Sequence, residues 1–279
     1  MKKVLTALLA VVILVSAGSA FGAGMRMGAL TQQNMSAEEF AEFIKSQERN
    51  FFGWKIMNTN HRLDDTFTYF DNLTSMIMAL HSDKIDEAAL PEPVAEYVKT
   101  TDAGVEISCA LHSRTTHLAL GFRSDDAGQR LCDMVNEALS AMKSDRRLSI
   151  LTSKYLHRPG TTLPAAESFA SFPGAETVKV AVTGDLPPLD MIAPDGRPIG
   201  YNTAVLSEIG RRMGVNIELV NIDAGARTSA LMSGRVDAVF WYQVWDGVDK
   251  QPDAPAGVLL SEAYYEWDTF LHLRHYVRD

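Results

Sequence analysis

The chain has 279 residues and a formal charge of −9, long enough for one large domain or two lobes with cores of their own. An acidic balance of this size argues against a nucleic-acid binder and against a protein that settles on anionic membrane surfaces. Beyond the N-terminus no stretch is long and apolar enough to span a bilayer.

Residues 1–22 read as a secretory signal peptide. Lys2 and Lys3 supply the charged start, residues 4–15 are apolar apart from Thr6, and residues 16–20 are small. Cleavage after Ala20 fits, with cleavage after Gly22 as the alternative. The apolar run is short for a retained anchor, and no cysteine lies near the site for lipidation. A soluble periplasmic or extracellular protein is expected. That compartment permits a disulfide, and the sequence leaves open whether Cys109 and Cys132 pair. Neither has a second Cys or a His at ligand spacing, so no metal site is expected.

Residues 25–30 read as a strand. Ser36 caps a helix to about residue 45, with Glu39 at the capping-box position. After an irregular stretch, residues 66–70 alternate like a strand, and Asp71 or Asn72 caps a helix through His81. Residues 85–90 form a strand, 92–98 a short helix with Pro93 in its first turn, and 105–111 and 117–122 two further strands. Asp125 or Asp126 caps a long helix whose inward stripe is Leu131, Val135, Ala138 and Met142. A short helix covers 147–155. Residues 157–176, rich in Pro, Gly, Ser and Thr, read as a linker. A strand at 178–182 follows. Asn202 is expected to cap a helix that Gly214 stops, with Val205, Leu206, Ile209 and Met213 inward. Strands at 217–220, 236–240 and 269–275 complete the chain. Strands alternating with helices predict parallel-rich sheets, which bind ligands outside the carboxyl ends of their strands.

One phrase occurs twice. Leu80-His-Ser-Asp-Lys-Ile-Asp86 returns as Leu231-Met-Ser-Gly-Arg-Val-Asp237. Each copy ends an apolar helix, turns, and enters a strand through an Asp, which predicts two similar α/β lobes. Asp86 and Asp237 are read as structural.

Seven pieces in register resemble the first lobe of the family-three periplasmic solute-binding proteins, the polar amino-acid class of ABC-transporter receptors. They are Val178-Lys-Val-Ala-Val, Leu186-Pro-Pro, Asp195-Gly, Gly200-Tyr-Asn, Ile209-Gly-Arg-Arg-Met-Gly-Val215, the second repeat copy and Ser261-Glu-Ala-Tyr-Tyr265. Residues 25–156 resemble the rest of that fold through residues 26–30, Asp83-Lys-Ile-Asp86, Pro93-Val-Ala-Glu-Tyr97, residues 118–123, Val135-Asn-Glu-Ala-Leu139 and residues 150–156. The resemblance implies an α/β, two-lobed periplasmic-binding-protein fold (type II) with its lobes in circularly permuted order. Residues 23–122 would form a second-lobe-like domain, 123–156 closing helices packed on the first lobe, 157–176 the linker and 177–279 a first-lobe-like domain. A broken tandem of two receptors is the alternative to permutation. If the halves are permuted, residues 269–275 and 25–30 should pair across the old cut, within one chain or in a swapped dimer.

The resemblance also implies a ligand cleft, from which this chain departs. Leu189 stands where the family has an aromatic, Ala224 near a second, Pro91 near the ammonium-binding Asp, and the carboxylate-clamping Arg is absent, which puts an ordinary α-amino acid in doubt. In its place Trp241, Tyr242, Gln243, Trp245 and Asp246 are expected just past a strand's carboxyl end. Aromatics with one carboxylate suit a cation, a sugar face or a flat ring; some of these rings are equally at home in a lobe core. Arg227 is a candidate for an anion, Thr31 and Gln32 for hydrogen bonds near a helix N-terminus, and Glu92 for a polar contact. The expected function is capture of a small polar or aromatic/cationic solute for ABC-type uptake, with a permease as candidate partner and no cofactor. A sensing module uncoupled from transport is one alternative. A dehydratase-like enzyme using a carboxylate such as Asp190 or Asp246 is the other, although no nucleophile elbow, metal spacing or phosphate loop is present.

Overall fold

The computed structural model describes residues 24–50, 65–157, 164, 168–193 and 195–276. The expected signal peptide and part of the linker lie outside the described residues. The N-terminal half runs β1 (Arg26–Leu30), α1 (Ala37–Asn50), β2 (Thr66–Phe70), α2 (Leu73–His81), β3 (Glu87–Pro91), α3 (Glu92–Thr101) and β4 (Val105–Arg123). Helices α4 (Asp126–Ser144) and α5 (Arg147–Tyr155) follow. The C-terminal half runs β5 (Thr177–Val182), a small meander of β6 (Asp185–Leu186), β7 (Asp190–Ile192) and β8 (Pro198–Ile199), α6 (Tyr201–Met213), β9 (Asn216–Asn221), a 3-10 turn at Ala224–Ala226, and α7 (Arg227–Met232). It ends with β10 (Ala238–Trp245), β11 (Val258–Leu260) and β12 (Tyr265–His275). No described helix is long and apolar enough to cross a membrane.

Local chemistry sets most of these boundaries. Ser36 Oγ accepts from the Glu39 N–H at 3.2 Å and the Glu39 carboxylate from the Ser36 N–H at 2.9 Å, a complete capping box for α1. Asn72 caps α2 by accepting from the Ser75 N–H, and Asp125 caps α4 through the Gly128 N–H. At α6 the cap is Gly200, not Asn202, which sits buried in the first turn. The two strands expected at 105–111 and 117–122 are one strand of 19 residues. The polar residues Ser113, Arg114 and Thr115 form an irregularity opposite Asp268 rather than a break, because β12 pairs on both sides of it.

The main sheet has the order β2-β1-β3-β12-β4-β10-β5-β9, with β11 paired to β4. Two three-stranded parallel units, β2-β1-β3 and β9-β5-β10, flank two long central strands. Each unit accepts an antiparallel fourth strand from the other half: β12 beside β3, and β4 beside β10. The expected pairing of residues 269–275 with 25–30 does not occur. In each unit the first strand is enclosed by its second and third, so β3 stands between β1 and β12.

The repeated phrase does the same work twice. The Asp86 carboxylate accepts from the Arg26 N–H of β1 at 2.7 Å, and Asp237 from the Lys179 N–H of β5 at 2.8 Å. In return the Asp86 and Asp237 N–H groups donate to the Arg26 and Lys179 carbonyls. The preceding turns match too, with Asp83 (φ 53°) and Gly234 (φ 72°) both left-handed. Helices α4 and α5 pack on α6 and so join the chain's first half to its second. The stripe of Leu131, Val135, Ala138 and Met142 is buried, as are Val205, Leu206 and Ile209 of α6.

Candidate functional site

Where the two halves face each other, the carboxyl ends of β1, β3 and β10 border an apolar cavity of about 70 Å³. Alternation along β10 selects its wall. Trp241, Gln243 and Trp245 face inward, joined by Trp267, Phe270 and His272 of β12. Phe40 and Ile44 of α1 and Phe67 of β2 line the N-terminal side. Leu186 and Leu189, in the first turn of the C-terminal half, line the other, and Gln32 reaches in after β1. The rings form a ladder: Trp245 stacks on Phe270 at 5.5 Å and 9°, and Trp267 meets Phe270 edge-on at 5.9 Å.

Polar atoms in this wall are unmatched. The indole N–H groups of Trp241, Trp245 and Trp267 and the side-chain oxygen of Gln32 are buried without a hydrogen-bond partner among the described residues. Gln32 Nε2 is tied to the Leu30 carbonyl at 3.1 Å, which fixes the amide's orientation. No carboxylate is among the described residues that line the cavity.

The other residues singled out in the sequence lie elsewhere. Strand β10 continues through Trp245 instead of ending at 240, so Tyr242 points to the opposite face. There it packs against Gly121, where an added Cβ would lie 2.3 Å from the ring, and its hydroxyl pairs with Thr228. Asp246 is exposed and bonded to His117 Nε2 at 2.7 Å. Arg227 is buried, not solvated. It donates to the Ala224 and Trp241 carbonyls and to Asp253 at 2.8 Å, and its guanidinium lies 3.7 Å over the Trp241 ring. Thr31 donates to Asp71, and Glu92 is exposed at the start of α3. Asp190 is fully buried, its carboxyl pushed up by burial while accepting from the Thr183 N–H and hydroxyl.

Hydrogen bonds clasp the halves around the cavity. Gln33 donates to the Ala224 carbonyl and accepts from the Thr228 N–H. Asn34 donates to the Gln251 carbonyl, and Asp185 accepts from the Leu73 N–H at 2.9 Å.

A second constellation, which no local spacing announces, touches the cavity through His272. Glu87 on β3, Cys109 on β4 and His272 on β12 meet on three adjacent strands, with one ligand atom from each within 4.8 Å of the others. His272 stands directly opposite Cys109, where β4 carries an extra residue. His272 Nδ1 lies 2.8 Å from the Glu87 carboxylate. Burial works to lower the His272 pKa, but its bonds to Cys109 and Glu87 outweigh this and raise it to about 9. Both cysteines are free; Cys132 is buried under β11 against the Leu260 carbonyl.

With this geometry in place, residues 178–267 match the family model of bacterial extracellular solute-binding proteins, family 3. No curated protein matches the chain. Among solved structures, it is similar to a ligand-binding component of an ABC-type import system from Staphylococcus aureus, solved with zinc bound, at 9% identity, over 91% of this chain and 66% of that one, TM-score 0.43. It is also similar to the periplasmic aliphatic sulphonate binding protein of Escherichia coli, at 11% identity over 91% and 65%, TM-score 0.37. A third is a pheromone cOB1 precursor/lipoprotein of the YaeC family from Enterococcus faecalis, at 12% identity over 90% and 84%, TM-score 0.42. The chain thus spans about two thirds of the length of the first two.

Proposed function

We propose that this chain is an exported solute receptor for ABC-type uptake, with its two halves in exchanged order, and that the cavity between them holds a compact solute. The family match to residues 178–267 supports the receptor reading. The observation that carries the site is the set of unmatched polar atoms in an apolar wall. A buried donor or acceptor left unpaired costs about 1–3 kcal/mol, and three indole N–H groups and one amide oxygen of the residues lining this cavity are in that condition among the described residues. A solute with an apolar body, a hydrogen-bond acceptor for the indole N–H groups and a donor for the Gln32 oxygen meets these demands. With Asp246 outside the cavity, no carboxylate among the described lining residues is placed to meet an organic cation. On the scale where a water needs at least about 10–15 Å³, the cavity has room on the order of five water-sized groups, which favours a small ligand. The clasp between Gln33, Asn34, Asp185 and the opposite halves corresponds to a closed state.

Native mass spectrometry of the gently purified protein, followed by Trp-fluorescence titration with compact acids, amides and aromatics, tests this. Trp241→Ala and Trp245→Ala should each weaken binding of the ligand so found at least tenfold, about 1.4 kcal/mol. Asp246→Ala should leave it unchanged. Unchanged affinity in both Trp variants would overturn the assignment.

A further inference from the structure

We propose that Glu87, Cys109 and His272 form a binding site for a thiophilic divalent cation, zinc by its chemistry, with one coordination position open toward the cavity. This goes beyond the solute reading and does not depend on it. The three residues are the only group of its kind among the described residues, and they supply one sulfur, one nitrogen and one oxygen donor. A thiolate with an imidazole selects zinc-like ions over calcium or magnesium, which take oxygen ligands. Once the ion has displaced the imidazolium and thiol protons, the thiolate and carboxylate carry two negative charges, matched to one divalent ion.

The geometry needs only a small contraction. Separations of up to 4.8 Å must close to roughly 3.5 Å, the edge of a tetrahedron with metal–ligand bonds of about 2.1 Å. The donors ride on neighbouring strands of one ladder, with His272 and Cys109 directly opposite, so side-chain rotation suffices. Glu87 and His272 are 5% and 2% exposed and Cys109 is half-buried; His272 is the one of the three that lines the cavity and would present the ion to it. Three protein ligands with the fourth position facing a cavity is the open pattern of zinc sites that also take a water or a ligand atom. There a bound ion would offer a docking point for an acceptor-bearing solute.

The test uses the full chain, stripped with a chelator, and the metal alone. One equivalent of Co2+ should bind and give a thiolate-to-metal charge-transfer band. Zn2+ should displace it. Cys109→Ser and His272→Gln should lower Zn2+ affinity at least 100-fold and Glu87→Gln about 10-fold, while Cys132→Ser changes nothing. Should a variant fail to fold, the unmutated protein decides: zinc should slow alkylation of Cys109, mapped by mass spectrometry, at least tenfold. A cobalt complex without the thiolate band, or equal alkylation of Cys109 with and without zinc, overturns the proposal. Neither result bears on the solute screen.

Discussion

A charged side chain can be buried only where its partners surround it. Arg227 meets this with Asp253, two carbonyls and the Trp241 face. Glu208 meets it with arginines: its side chain is 2% exposed, Arg212 bonds it at 2.7 Å and Arg211 at 3.2 Å, and Arg147 approaches to 3.5 Å. Burial alone would raise the Glu208 pKa, but the hydrogen bonds from Arg211 and Arg212 win and hold it below the ordinary 4.5. Its stabilising contribution is therefore fully present above pH 4.5 and is lost as pH falls through the depressed value. Glu208→Gln should cost about 2 kcal/mol at pH 7, the scale of hydrogen bonds to a charged group, measured by urea unfolding, and the gap to the unmutated protein should narrow below pH 4.5. A gap that stays constant into acid would refute this. At the same scale, Trp241, Gln243 and Trp245 were legible as cleft residues because they follow a strand's apolar run, although the sequence pattern puts them past its end rather than on it. Only the strand's length, underestimated at 240, hid that alternation sends Tyr242 away. Glu87, Cys109 and His272 were not legible, since pairing of three distant strands brings them together and no sequence window contains them.

Elements were read best where a side chain closes a helix end. Ser36 with Glu39, Asn72 and Asp125 cap as their chemistry requires, because such bonds are made within three residues and owe little to the rest of the fold. Strands fared worse. The polar residues 113–115 read as a break, yet β12 holds β4 continuous around them. The repeated turn offers a comparison between its copies. Gly234 is left-handed and a Cβ there would meet nothing within 4 Å, so its substitution costs backbone conformation alone. Gly234→Ala should lose about 1 kcal/mol. Gly234→Asp should lose less, since Asp83 holds the same conformation in the first copy and Asp tolerates it better. Equal losses in denaturant unfolding would contradict that.

For the whole molecule, the two halves share a single sheet, and each completes the other. Strand β12 lies between β3 and β4, bonded on both sides. Within one chain this leaves no central pairing unsatisfied, so native mass spectrometry should show a monomer. A dimer that separates only after unfolding would instead mark exchange of β12. Deleting residues 265–279 should abolish cooperative unfolding rather than merely weaken it, because two interior edges would be left bare. The same arrangement governs the order of events at the ribosome. Strands β1 to β3 emerge first, while the strand that seats against β3 emerges last. At ordinary rates of synthesis the gap is on the order of ten to thirty seconds. Throughout it the N-terminal half lacks its neighbour and the main sheet cannot close. The main sheet closes only after β12 has been made, so until then the chain stays an open, extensible polymer.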